Sequence, residues 1–126
     1  MFQKETIKES VSALPLKPKD YCVITGTALV MHGIKEETKD IDISCTKEAF
    51  HTLEAQGFQI KQGAFARKVI YSDDVEIFED WHKGDITMIE GVPVASLESV
   101  IVMKKQLGRE KDLADIVKIE AQLDRQ

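Results

Sequence analysis

The sequence predicts an α+β fold, a mixed β-sheet with flanking helices and C-terminal helices, from three observations. Helix-period and strand-like segments alternate up to residue 57, three β-prone runs divided by turn residues follow, and two helical segments close the chain. With 126 residues and a formal net charge of −5, the chain fits a single domain over 1–126 that can bury its own core.

Ile7, Val11 and Leu14 recur at helical spacing and predict a helix over 3–14, which Pro15 and Pro18 end. The apolar run 21–25 reads as a strand, Gly26 as a turn, and the stretch in which Ala28, Leu29 and His32 share a face as a short helix closed by Gly33. A strand is expected over 40–45, then a helix from the N-cap Thr46 to about residue 56, stopped by Gly57. Runs 58–62, 66–72 and 75–78, separated by Gly63-Ala64 and Asp73-Asp74, suit an antiparallel meander, and 85–89 adds a further strand. Residues 91–95 are assigned no element. Ser96 caps a helix to 107, Gly108 interrupts it, and a last helix covers about 110–123.

Composition narrows the function classes. No apolar run approaches the roughly 20 residues a bilayer span requires, and the N-terminal residues, with Lys8 and Glu9 early, do not read as a signal peptide. A cytoplasmic protein without a membrane partner is therefore the expectation. The acidic balance argues against a broad nucleic-acid footprint, which normally shows as a basic patch. Cys22 and Cys45 sit in apolar strand-like runs without partners at metal spacing and read as two buried thiols.

The chemistry concentrates in the stretch from Gly26 to Asp42. Alternate side chains of a strand share a face, so Asp40 and Asp42 project together while Ile41 and Ile43 point inward. Two carboxylates held side by side repel each other and call for a positive partner. They suit Mg²⁺, which takes one or two carboxylates and completes its octahedron with water and substrate phosphate. The Gly26-Thr27 turn offers close backbone approach, a threonine hydroxyl and the free N–H groups of the helix after it, the donors a phosphate needs.

The order of these pieces, Gly26-Thr27-Ala28-Leu29, His32-Gly33 and then Thr38-Lys39-Asp40-Ile41-Asp42, resembles the signature of the nucleotidyltransferase superfamily that includes polymerase β. It looks most like the small bacterial nucleotidyltransferase-like proteins of the abortive-infection and antibiotic-adenylylating type. Val92-Pro-Val-Ala-Ser-Leu-Glu98, Lys104 and Gly108-Arg-Glu-Lys-Asp112 with Asp115 are similar to that family's closing segment; Glu36-Glu37 stand where the family pattern usually has an arginine. The resemblance implies a minimal nucleotidyltransferase fold that transfers a nucleoside monophosphate from ATP or another nucleoside triphosphate to a hydroxyl. It implies Asp40, Asp42 and a third carboxylate, best matched by Glu76, as catalytic and metal-holding residues for one or two Mg²⁺ ions, with Asp74 and Glu79 as competitors for the third place. Gly26, Thr27 and Lys104 are implied as nucleotide contacts.

Other readings stand beside it. Glu76 also reads as a solvated strand-edge acid, and Lys104, on the stripe of Leu97, Val100 and Ile101, as a lysine snorkelling from an apolar face. Arg109 is expected to pair with Asp112 and Asp115 at the start of the last helix, with phosphate contact second. His32 is expected to pack at a helix end, and Trp81 to pack beneath a loop or line a pocket. The rival function is a non-catalytic relative that keeps the fold as a nucleotide sensor or a toxin and antitoxin partner. The acceptor, whether small molecule, protein or RNA end, is left open by the sequence. The short chain leaves little room for a separate substrate domain, so completion of the acceptor site by a second copy in a homodimer, or by a protein partner, is an expectation.

Overall fold

The computed structural model describes residues 1–125. Helix α1 (Lys4–Ser12) leads through a 3₁₀ turn (Pro18–Asp20) to β1 (Tyr21–Val23), α2 (Thr25–Met31), β2 (Ile41–Cys45) and α3 (Lys47–Ala55). Strands β3 (Ile60–Gln62), β4 (Arg67–Ile70), β5 (Val75–Glu79), β6 (Ile86–Ile89) and β7 (Val92–Ala95) follow, then α4 (Leu97–Leu107) and α5 (Glu110–Asp124).

All seven strands form one mixed sheet in the order β3-β4-β5-β2-β1-β7-β6. The meander β3-β4-β5 is antiparallel as its turns predict, whereas β2 runs parallel to β5 and β1 parallel to β7. The parallel step from β2 to β5 brings Asp42 into register with Glu76, which places two acids on neighbouring strands about 4.8 Å apart in the direction of the ladder.

Strand β7 was not assigned from the sequence. Pro93 lacks the amide a ladder uses, but β7 meets β1 at the single register pair Val23 and Val94, so little pairing is lost. Its four residues are all buried, and no alternation betrays them.

Burial follows the pleat. Ile41, Ile43, Val69 and Ile77 are sealed on one face of β2, β4 and β5, where α3 packs with Phe50 and Leu53. On β2 and β5 the intervening Asp42, Glu76 and Phe78 are only partly covered and open to the other face. Helix α2 packs on β2, β7 and α4, and α4 packs on α5. Thr46 and Ser96 cap α3 and α4 as the sequence indicates, each accepting from the amide three residues on.

Helix α5 is held to the body by charge as well as by Ile116 and Ile119. Asp112, Asp115, Ile116 and Ile119 form its buried stripe, and Lys104, buried on the facing helix, places Nζ 3.1 Å from Asp112 and 2.9 Å from Asp115. Removing one member of such a group leaves the others charged in a poor solvent. Lys104→Met is expected to lower the unfolding free energy in urea by about 3 kcal/mol, whereas Lys105→Met, one residue on and exposed, costs under about 0.5 kcal/mol. Equal, small losses would show that the buried ion group does not hold the helix.

Candidate active site

A cleft of about 530 Å³ opens on the face that Asp42 and Glu76 occupy, and its lining includes Thr25, Gly26, Asp40, Asp42, Glu76 and Lys104. Five of the six residues singled out from the sequence therefore share one cavity. Thr27 does not.

The turn into α2 is built differently from the expectation. The helix begins at Thr25, so Gly26 lies within it, and the sharp backbone turn falls on Thr25, whose φ is 50°. A β-branched residue in the left-handed region costs of order 1–3 kcal/mol. What that conformation gains is aim: Thr25 Oγ1 donates to Asp42 Oδ2 at 2.9 Å. Gly26 relieves a different crowding, because a Cβ there would stand 3.0 Å from Thr38 Oγ1, which would have to give by a few tenths of an ångström.

Thr27, expected to offer a hydroxyl to phosphate, is fully buried and its hydroxyl is spent on β2. It donates to the Asp40 carbonyl at 3.1 Å and accepts from the Asp42 amide at 2.9 Å. The helical phase turns it away from the cleft, and it acts instead as the bolt that fixes the entry of β2 against α2. Thr25, which sequence periodicity assigned to a strand, does the work at the cleft.

Asp42 is the electrostatic focus. Burial, opposed by the Thr25 hydrogen bond and reinforced by the neighbouring charges of Glu76 and Asp40, pushes its carboxyl from 3.8 up to about 6. Among the described residues no lysine or arginine forms an ion pair with it, and four of the cations that line the cleft are engaged with other acids. Lys68 Nζ binds Glu76 Oε2 at 2.7 Å. Lys35 and Lys104 bind Asp115 at 3.1 and 2.9 Å, and Arg109 Nε binds Asp112 Oδ2 at 2.6 Å. Asp40, exposed and just ahead of β2, lines the same cleft.

Lys104, read from the sequence as a nucleotide contact or a snorkelling lysine, lines the cleft but is buried and pairs with the carboxylates of α5 rather than with Asp40, Asp42 or Glu76. Burial alone would raise the Asp112 carboxyl; hydrogen bonds from Arg109 and Lys104 outweigh it and hold the group at about 2. Two further cations, Lys39 and Lys111, line the cleft, are exposed, and form no ion pair among the described residues. Periodicity could not single them out, since each reads as an ordinary surface lysine.

Whether these residues suit a divalent ion is a question of donors. Among the described residues no three acidic, histidine or cysteine side chains stand together as a ready metal cluster, and Glu76 is already paired. Asp42, with Asp40 in the same cleft, supplies the one or two carboxylates that Mg²⁺ takes when nucleotide phosphates complete its shell. The donor set fits an ion that arrives with its nucleotide. His32, by contrast, is structural: it ends α2 and its Nε2 meets the Ala95 carbonyl at 2.9 Å. The two cysteines are free and buried, and burial pushes both thiols up to about 12.

The chain aligns over 97% of its length with 91% of a crystal structure from Thermotoga maritima described as a "putative nucleotidyltransferase", at a TM-score of 0.55 and 18% identity. That likeness shows the nucleotidyltransferase-like fold. No family model and no curated protein matches the sequence. No helix among the described residues is long and apolar enough to cross a membrane.

The raised carboxyl sets a pH signature. The folded chain binds the Asp42 proton more tightly than the unfolded chain does, so this group's stabilising share is complete below about 4 and is lost as pH rises through about 6. At pH 7 Asp42→Asn is expected to be about 2 kcal/mol more stable than the wild type, with the gap closing on acidification. Denaturant melts across that range check it; a variant that is less stable at pH 7 would mean Asp42 has a favourable partner.

Proposed function

We propose that the protein binds a nucleoside triphosphate in this cleft and transfers its nucleoside monophosphate to a hydroxyl acceptor. The observation that supports the reading best is Asp42: a largely buried carboxylate, aimed by a strained Thr25 and lacking a cationic partner, on a strand of a nucleotidyltransferase-like fold. An uncompensated anion of this kind costs stability, and function at a cation site is the usual reason for keeping it.

In this reading Asp42 and Asp40 would hold Mg²⁺, which would supply positive charge to the phosphates and the leaving oxygen. Lys39 and Lys111, free in the cleft, take the outer phosphates as point charges. The acceptor oxygen forms its bond to the α-phosphorus as the bond to pyrophosphate breaks in line. The proton of the acceptor hydroxyl goes to Glu76, beside Asp42 in register, once Lys68 turns from Glu76 to the phosphates. Thr25, Thr27 and the Lys104 group do not react; they keep β2, α2 and α5 in place. A cytoplasmic setting and an acceptor related to those of antibiotic-adenylylating proteins accord with the motif resemblance.

A second reading, a nucleotide-binding module without transfer, is favoured by one contact, the 2.7 Å pairing of Lys68 with Glu76. Incubation with radiolabelled nucleoside triphosphates, Mg²⁺ and a panel of hydroxyl acceptors separates the two. Labelled product is expected from the wild type, and Asp40→Asn with Asp42→Asn should reduce it by roughly 10²-fold or more. Equal labelling by both proteins would remove the strand pair from the chemistry. Nucleotide binding without product would select the second reading.

A further inference from the structure

We propose that Phe65, Phe78 and Trp81 form a stacking wall for the base of the bound nucleotide, an assignment that rests on the nucleotide reading above and adds the place of the base. The sheet register supplies the spacing. Asp42 stands opposite Glu76, and two residues on, on the same face, Ser44 stands opposite Phe78. Two residues of strand are about 6.6 Å, the span a ribose bridges between a phosphate and its base.

The wall is built rather than incidental. The Ser44 hydroxyl, buried between the strands, accepts from the amides of Trp81 and His82 at 3.1 and 3.0 Å, and this holds the bend just past β5. The turn brings the indole to 5.1 Å from the Phe78 ring, and Trp81 Nε1 donates to Gln106 Oε1 of α4 at 2.9 Å. The indole is thus fixed at its backbone and at its nitrogen. Phe65, from the β3 to β4 turn, lies parallel to it at 6.0 Å and 9° while 49% exposed.

Phe78 and Trp81 are partly buried against the core, whereas Phe65 stands outside it. All three rings line the cleft of Asp42. The unpaired cations come from elsewhere, Lys39 from the segment before β2 and Lys111 from α5. Triphosphate and base therefore each find a chemically matched stretch of the same cavity. Stacking on aromatic faces tolerates any base and favours the larger rings, so ATP and GTP are preferred over CTP and UTP.

Trp81 is the chain's single tryptophan, so its emission reports on the wall without labelling. The full chain is titrated in Mg²⁺ with ATP and, separately, with tripolyphosphate, and both emission and binding heat are followed. Both ligands are expected to bind and only ATP to change the emission. Phe65→Ala should weaken ATP roughly 5- to 150-fold and leave tripolyphosphate unchanged; Phe65→Tyr should restore ATP and Phe65→Leu should not. Phe65 is a half-exposed turn residue, and a thermal melt of each variant confirms the fold. An unchanged ATP affinity in Phe65→Ala, or equal losses for ATP and tripolyphosphate, would overturn the base wall and leave the nucleotide reading standing. Failure of both ligands to bind the wild type would overturn both.

Discussion

The hydrogen bond from Thr25 to Asp42 is the constraint on which the rest of the site depends. It requires a threonine at positive φ where β1 turns into α2, and it requires β2 to approach α2 closely enough for Thr27 to bolt the two together. Gly26 suits the same closeness, since a Cβ there would crowd the Thr38 hydroxyl. A local strain and a close approach thus converge on one carboxylate, and the parallel step to β5 sets Glu76 beside it. The arrangement stores electrostatic cost in the free chain, the condition under which a cationic ligand has most to gain.

The distribution of positive charge completes that condition. Lysines and an arginine surround the cleft, yet most are neutralised by acids other than Asp42. The Lys104, Arg109, Asp112 and Asp115 group is tied up in holding α5 across the cleft, and Lys68 is tied to Glu76. Buried ion groups rarely add much to stability compared with apolar packing, and their better attested use is to fix a single arrangement. Here the arrangement fixed is the position of α5 beside Asp42. The two cations left over, Lys39 and Lys111, are exposed, where a charged ligand can reach them.

The sequence revealed the fold wherever periodicity and turn residues agreed, as in the meander 58–78 and the capped helices after Thr46 and Ser96. It also revealed the shared cleft of Gly26, Asp40, Asp42 and Glu76, because motif order constrains strand neighbours. Direction was harder to see. Thr25 and Thr27 are chemically identical, and only the unusual φ of Thr25 decides which hydroxyl meets the acid and which is spent on backbone. Strand β7 was hidden by Pro93 and by burial on both faces. The partners of Lys104 leave a trace in the sequence: Asp112 and Asp115 lie three residues apart on the stripe of Ile116 and Ile119. Acids on a buried stripe, with a lysine on the stripe of the preceding helix, point to each other.

The account turns on Asp42 being a carboxylate without a cationic partner that a divalent ion with nucleotide can occupy. Carbon-13 NMR titration of the Asp42 carboxyl, in the free protein and with Mg²⁺ and a non-hydrolysable ATP analogue, tests this directly. The free carboxyl should titrate near the raised value of about 6 and fall below its ordinary 3.8 in the complex. An ordinary midpoint in the free protein, unmoved by ion and nucleotide together, would contradict it.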